Sequence, residues 1–160
     1  MVDSPVSGLM TRRVLTIQAD RPLSDCVRMM RDAKIGCVVV VESEKPVGIF
    51  TERDLIRQIA NQGAESLNQA MTQVMTRPLA TILPAATVWD AIALMGRLGI
   101  RRLPVVENEK LVGILTERDV FRLILSQQNL ILEAVSESMP AATREQLRGL
   151  VDHFGPGKFP

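Results

Sequence analysis

Two stretches of the chain, Cys37–Val41 and Leu103–Val106, are unbroken apolar runs rich in β-branched residues. Short runs of this kind predict strands covered on both faces. Each is followed by a polar turn, Glu42–Lys45 or Glu107–Lys110, and then by Val47–Phe50 or Val112–Leu115, which predict a returning strand. Ahead of each pair the period changes. Val27, Met30 and Ala33 recur at helical spacing after Pro22, which suits a first helical position. Trp89, Ile92 and Met95, with Val88, Ala91 and Leu94, make the matching stripe, and Gly99 stands where a helix end favours positive φ. Val14–Ile17 and Ala80–Ile82 predict short leading strands, while Thr51 and Thr116 open a further helix. The predicted order is β-α-β-β-α, and it occurs twice.

The duplication is explicit in the residues. Positions 10–57 align with 75–122 at a constant offset of 65, with 21 of 48 positions identical and no gap. Glu44-Lys45-Pro46-Val47-Gly48-Ile49-Phe50-Thr51-Glu52-Arg53-Asp54 matches Glu109-Lys110-Leu111-Val112-Gly113-Ile114-Leu115-Thr116-Glu117-Arg118-Asp119. A unit of about 50 residues buries too little surface alone, so the copies are expected to pack about a pseudo-two-fold axis. The expected class is α+β, with repeats at 5–62 and 66–126 and a helical extension at 127–160. In that extension the helix entering at Val120 is expected to run on to Gln128. Leu130, Ile131, Ala134 and Val135 predict further amphipathic turns, and Thr143 a cap for a last short helix. This tail is expected either to pack back on the pair or to couple it to a partner.

Composition narrows the function. Nineteen basic and eighteen acidic residues leave a net charge of +1, without the basic excess of a nucleic-acid binder. Aromatics are 3% and Tyr is absent, which argues against base-stacking platforms. No apolar run approaches a membrane span, and the first residues lack a signal-peptide pattern. Cys26 and Cys37 sit in apolar patterns and read as reduced thiols of a cytoplasmic protein. His153 is the one histidine and has no ligand companions. No nucleophile–base set, phosphate-binding glycine loop or dinucleotide fingerprint is present, so catalysis is not expected.

Three features in order, each present in one or both copies, carry a resemblance: Val74-Met75-Thr76, Leu103-Pro104-Val105-Val106, and the Gly-Ile-x-Thr-x-x-Asp segments at Gly48 and Gly113. Over residues 5–126 the chain resembles a tandem pair of cystathionine-β-synthase (CBS) domains, a Bateman module. The resemblance implies a regulatory module that holds an adenosine nucleotide (AMP, ADP or ATP) in clefts between the repeats and signals to an effector protein or fused domain. It also implies a homodimer, to which the apolar positions of 87–98 and 117–125 would contribute. A ligand-free dimerisation module, or a sensor of S-adenosylmethionine or a metal ion in the same clefts, are the alternatives.

Thr51 and Asp54, like Thr116 and Asp119, have the spacing of a capping box, and acidic residues favour the positive end of a helix dipole. The same groups can accept from a ribose diol and face a phosphate, and the resemblance implies those roles. It likewise assigns phosphate contacts to Arg101 and Arg102, which would otherwise be a solvated pair at a strand edge. Thr16 and Thr81 fall near the family's strand-end contact, and Ile17, Ile49, Ile82 and Ile114 would flank the base or simply fill the core. Gly48 and Gly113 are carried with these segments as candidate ligand contacts, or else serve only close approach in the sheet. Arg53 and Arg118 are expected to pair with neighbouring acids, at the surface or in a subunit contact, and not to bind ligand. Because the first copy has Gly36-Cys37 where the second has Arg101-Arg102, the clefts are expected to be unequal. Asp54 would have the arginines, and Asp119 the poorer cleft with Lys34 as its nearest cation.

Overall fold

The computed structural model describes residues 4–126. One compact unit ends at Val120; residues 121–126 belong to the next unit and are helical. The predicted extension at 127–160, with its turns near Leu130 and its cap at Thr143, lies outside the described residues.

In the first repeat β1 (Thr16–Gln18) leads to α1 (Leu23–Ala33), the hairpin β2 (Cys37–Glu42) and β3 (Lys45–Thr51), and α2 (Glu52–Gln62). β1 runs parallel to β2, and β2 antiparallel to β3. In the second repeat a short α3 (Met71–Val74) comes first, then α4 (Val88–Leu98), β4 (Arg102–Glu107), β5 (Lys110–Thr116) and a helix, α5, from residue 117. The β2 run is buried as its composition predicts, with Val38, Val39 and Val40 fully covered. Both hairpins turn on two residues of positive φ, Ser43 and Glu44 at 48° and 68°, and Asn108 and Glu109 at 49° and 62°. That geometry matches the twist of the flanking strands.

Three expectations shift. Pro22 caps α1 from outside, so the helix opens at Leu23. The strand expected at Ala80–Ile82 is a single parallel bridge between Ile82 and Val105. The reason is chemical: in the first repeat the Ala19 N–H extends the ladder to the Val41 carbonyl. Its counterpart, Pro84, has no N–H to give. Trp89 leaves the apolar stripe of α4 and is 61% exposed, while Val88, Ala91 and Met95 face inward.

The repeats also exchange their leading segments. Thr76 bridges Ile49 of β3, and Thr11 bridges Ile114 of β5. Leu23 N–H donates to Gln69, and Met71 N–H to Arg21; reciprocally, Val6 N–H donates to Ala86 and Val88 N–H to Ser4. Met71 and Val74 therefore complete the first repeat's core with Leu23, Cys26, Val38 and Phe50. Val6, the counterpart of Met71, is fully buried where the segment 4–7 bonds to 84–88 of the second repeat. Each exchanged side chain contributes roughly 1.5–3 kcal/mol by leaving water. The pseudo-two-fold relation expected from the duplication is thus built into the chain path.

Candidate functional site

Three helices open on Thr-x-x-Asp, and all three make the same cap. In α2 the Thr51 N–H and hydroxyl donate to Asp54 Oδ2 at 2.9 and 2.7 Å, and the Asp54 N–H donates back to Thr51 Oγ1 at 3.3 Å. Thr116 and Asp119 repeat this at 2.9, 2.6 and 3.3 Å. Thr87 and Asp90 repeat it at the start of α4, at 2.9, 2.7 and 3.0 Å. These bonds hold the exposed Asp90 carboxyl below its usual range. The cap alone is therefore a structural device.

Asp54 differs in its surroundings. It is only 6% exposed. Its second oxygen accepts from Arg57 Nη2 at 2.6 Å and from the hydroxyl of Thr76, in the other repeat's leading segment, at 3.1 Å. A carboxylate has about four acceptor positions, and Asp54 fills them from both repeats. It opens on a cleft of about 320 Å³, with Thr51, Arg53, Arg101 and Arg102 supplying polar lining and Ile49, Pro78, Ala80 and Ile100 the apolar part. A second hollow, about 550 Å³ and more open, is lined by Arg13, Arg101, Arg102, Arg118, Glu52, Glu117 and Thr116, with Leu15, Cys37 and Ile114.

The structure thus gathers Thr51, Asp54, Arg101 and Arg102 in one cleft and Thr116 with the same two arginines in the other. Asp119 faces Thr116 as its capping partner. The expectation that Arg101 and Arg102 serve Asp54 alone is corrected: they line both clefts, and Lys34 lines neither. Arg53 and Arg118, expected at surface ion pairs, line one cleft each. Ile17 and Ile82 are core residues, 5% and 8% exposed. Thr81 lies in another hollow beside Lys45 and Arg77, and Thr16 sits in β1 outside both clefts. One residue back, Leu15 and Ala80 take the cleft positions. Gly48 and Gly113 line neither cleft. They admit Met75 and Met10, whose Cγ atoms would each stand 2.9 Å from a Cβ there.

Sequence reasoning missed Thr76 as a partner of Asp54, although the Met-Thr-Arg triplet occurs in both copies. The thiols are quiet. Burial pushes Cys26 up to about 11, and burial also raises Cys37, against the nearby Arg102 charge. Both cysteines are free. No described helix is long and apolar enough to cross a membrane.

Comparison with known proteins places these features. The family described as CBS domain matches the chain twice, over residues 6–61 and 71–126. An uncharacterised protein of Methanopyrus kandleri is 36% identical over 120 residues, covering 74% of this chain; the match spans 61% of that protein's length. The crystal structure of a CBS-domain containing protein from Agrobacterium tumefaciens is 34% identical with a TM-score of 0.69, covering 74% of this chain and 91% of that one. A CBS domain pair solved in complex with 5′-methylthioadenosine and S-adenosyl-L-methionine shares the fold at 22% identity. Its TM-score is 0.71, over 78% of this chain and 96% of that one.

Proposed function

Because the chain belongs to the CBS domain family, whose tandem pairs are regulatory ligand-binding modules, we propose that its Asp54 cleft binds an adenosine nucleotide, AMP, ADP or ATP, and reports occupancy to a partner. One observation carries the reading: a buried carboxylate and three arginines line one cleft of about 320 Å³, near the lower end of small-ligand sites. Asp54 would accept from the ribose diol. Arg53, Arg101 and Arg102 would hold phosphates, for which the planar guanidinium suits two-point contact. Ile49, Pro78 and Ile100 would cover the base. The three arginines favour an anionic ligand over S-adenosylmethionine, whose sulfonium they would repel.

The filled acceptor positions of Asp54 set a condition. A diol must displace Thr76 or Arg57, and displacement of Thr76 would loosen the tie between α2 and the other repeat's leading segment. That is a route by which occupancy shifts a packing equilibrium. The reader of that shift is a protein or a further domain of a longer chain.

A thermal-shift panel of AMP, ADP, ATP, S-adenosylmethionine and GTP, with and without magnesium, tests the reading. A ligand at 100 times its Kd adds about 2.7 kcal/mol, a rise on the order of 5–10 °C at this size. The expected result is a selective rise with one adenosine nucleotide, lost in Asp54→Ala and increased in Thr76→Val, where the competing hydroxyl is gone. A flat response to every nucleotide at millimolar concentration defeats the proposal and leaves a ligand-free dimerisation module.

A further inference from the structure

The second repeat carries Arg101-Arg102 where the first carries Gly36-Cys37, yet both clefts are lined by these same two arginines. The glycine explains how. A Cβ on Gly36 would stand 2.7 Å from Arg102 Nη2 and 2.8 Å from Glu52 Oε2. The guanidinium and the carboxylate therefore occupy the room that any side chain at position 36 would take. Gly36, Glu52 and Arg102 all line the second cleft, and Arg102 also lines the Asp54 cleft. One arginine pair faces two anion-sized openings, and a guanidinium turned to a phosphate in one is withdrawn from the other.

We infer that the two clefts share Arg101 and Arg102 as a common anion anchor, so that a phosphate group in either cleft weakens binding in the other. This rests on the nucleotide reading for its physiological ligand, but the coupling itself belongs to the phosphate group. Two effects act in the same direction. The arginines are divided between two sites, and a second anion arrives beside a charge already partly neutralised. Arg53 and Arg118 remain private to their clefts, so the second site is weakened and not abolished.

The test uses inorganic pyrophosphate and the full chain, with backbone amide NMR signals of Thr51 and Thr116 reporting the two clefts separately. Neutral steric blocks come from equivalent positions, Ala80→Trp for the Asp54 cleft and Leu15→Trp for the other. In the wild type, the later-filling cleft should bind about tenfold more weakly than the same cleft in the variant whose other cleft is blocked, within the usual range of coupling between sites. Gly36→Ala has no positive φ to strain and meets only the ends of two flexible side chains. It should fold normally, evict Arg102 from the second cleft and reduce the coupling to the part that Arg101 carries, clearly below the wild-type value. Wild-type curves that superpose on those of the blocked variants would overturn the proposal. So would pyrophosphate that moves neither signal, because the arginines would then anchor no phosphate. A nucleotide that still raises Tm in the panel above would, in that case, leave the nucleotide reading standing alone.

Discussion

The starts of α2 and α4 carry the same cap, with hydrogen bonds that agree within about 0.3 Å. Asp90 sits in solvent, while Asp54 is covered, tied to Arg57 and Thr76, and opens on a cleft. Identical local chemistry therefore has two uses, and the neighbours that converge on the carboxylate decide between them. Helix ends show the converse. α1 and α4 both close on a left-handed residue, Lys34 at φ 53° and Gly99 at φ 63°; the conformation is shared, but only one residue type suits it.

Breaking the first comparison should have the largest effect. Asp54→Ala leaves Thr51 and Thr76 donors without their acceptor and should cost roughly 2–3 kcal/mol by urea denaturation, besides abolishing nucleotide response. Gly99→Ala forces a Cβ into left-handed backbone and should cost about 1–2 kcal/mol. Thr87→Ala removes a cap with nothing behind it and should cost about 1 kcal/mol, with ligand response intact. Equal losses in Asp54→Ala and Thr87→Ala would mean that the extra bonds to Asp54 add nothing. Lys34→Gly should gain about 0.5 kcal/mol, since relief of left-handed strain exceeds the added chain entropy of glycine.

The smallest effect is pH-dependent. Hydrogen bonds from Thr87 lower the folded pKa of Asp90 below 3.8. The folded state then binds fewer protons than the unfolded one, so the contribution is complete above that value and is lost as pH falls through the folded pKa. Asp90→Asn should therefore flatten the stability profile only below about pH 4. The variant should be the less stable protein at neutral pH, with the gap closing as pH falls below about 4; a gap that does not close in acid would contradict this assignment.

Much of this arrangement is readable in the residues. The β2 run announces its own burial, Gly99 its helix end, and the 65-residue offset the doubled architecture. The missed features have a common cause. Aligning the copies pairs Thr11 with Thr76, but cannot tell that each lies against the other copy's sheet. It sets Gly36 against Arg101 as a loss, whereas in space the empty position receives Arg102. The placement of so short a leading segment is equally hidden, so the repeat pattern points to Thr16 and Thr81 where Leu15 and Ala80 stand. Pattern locates elements along the chain. Which copy a segment packs against is a property of the assembled core.

The traded leading segments also govern what happens if the polypeptide is divided. A cut after residue 65 separates Met71 and Val74 from the core they complete, and Val6 from its own. Neither fragment, 1–65 or 66–126, is then self-sufficient, and each holds the missing piece of the other. Separately they should expose apolar surface and aggregate; mixed in equal amounts they should reassemble in trans, each segment finding its bed across the break. Fragment complementation of this sort would make the pair a natural split reporter, with the site of division fixed by the duplication itself.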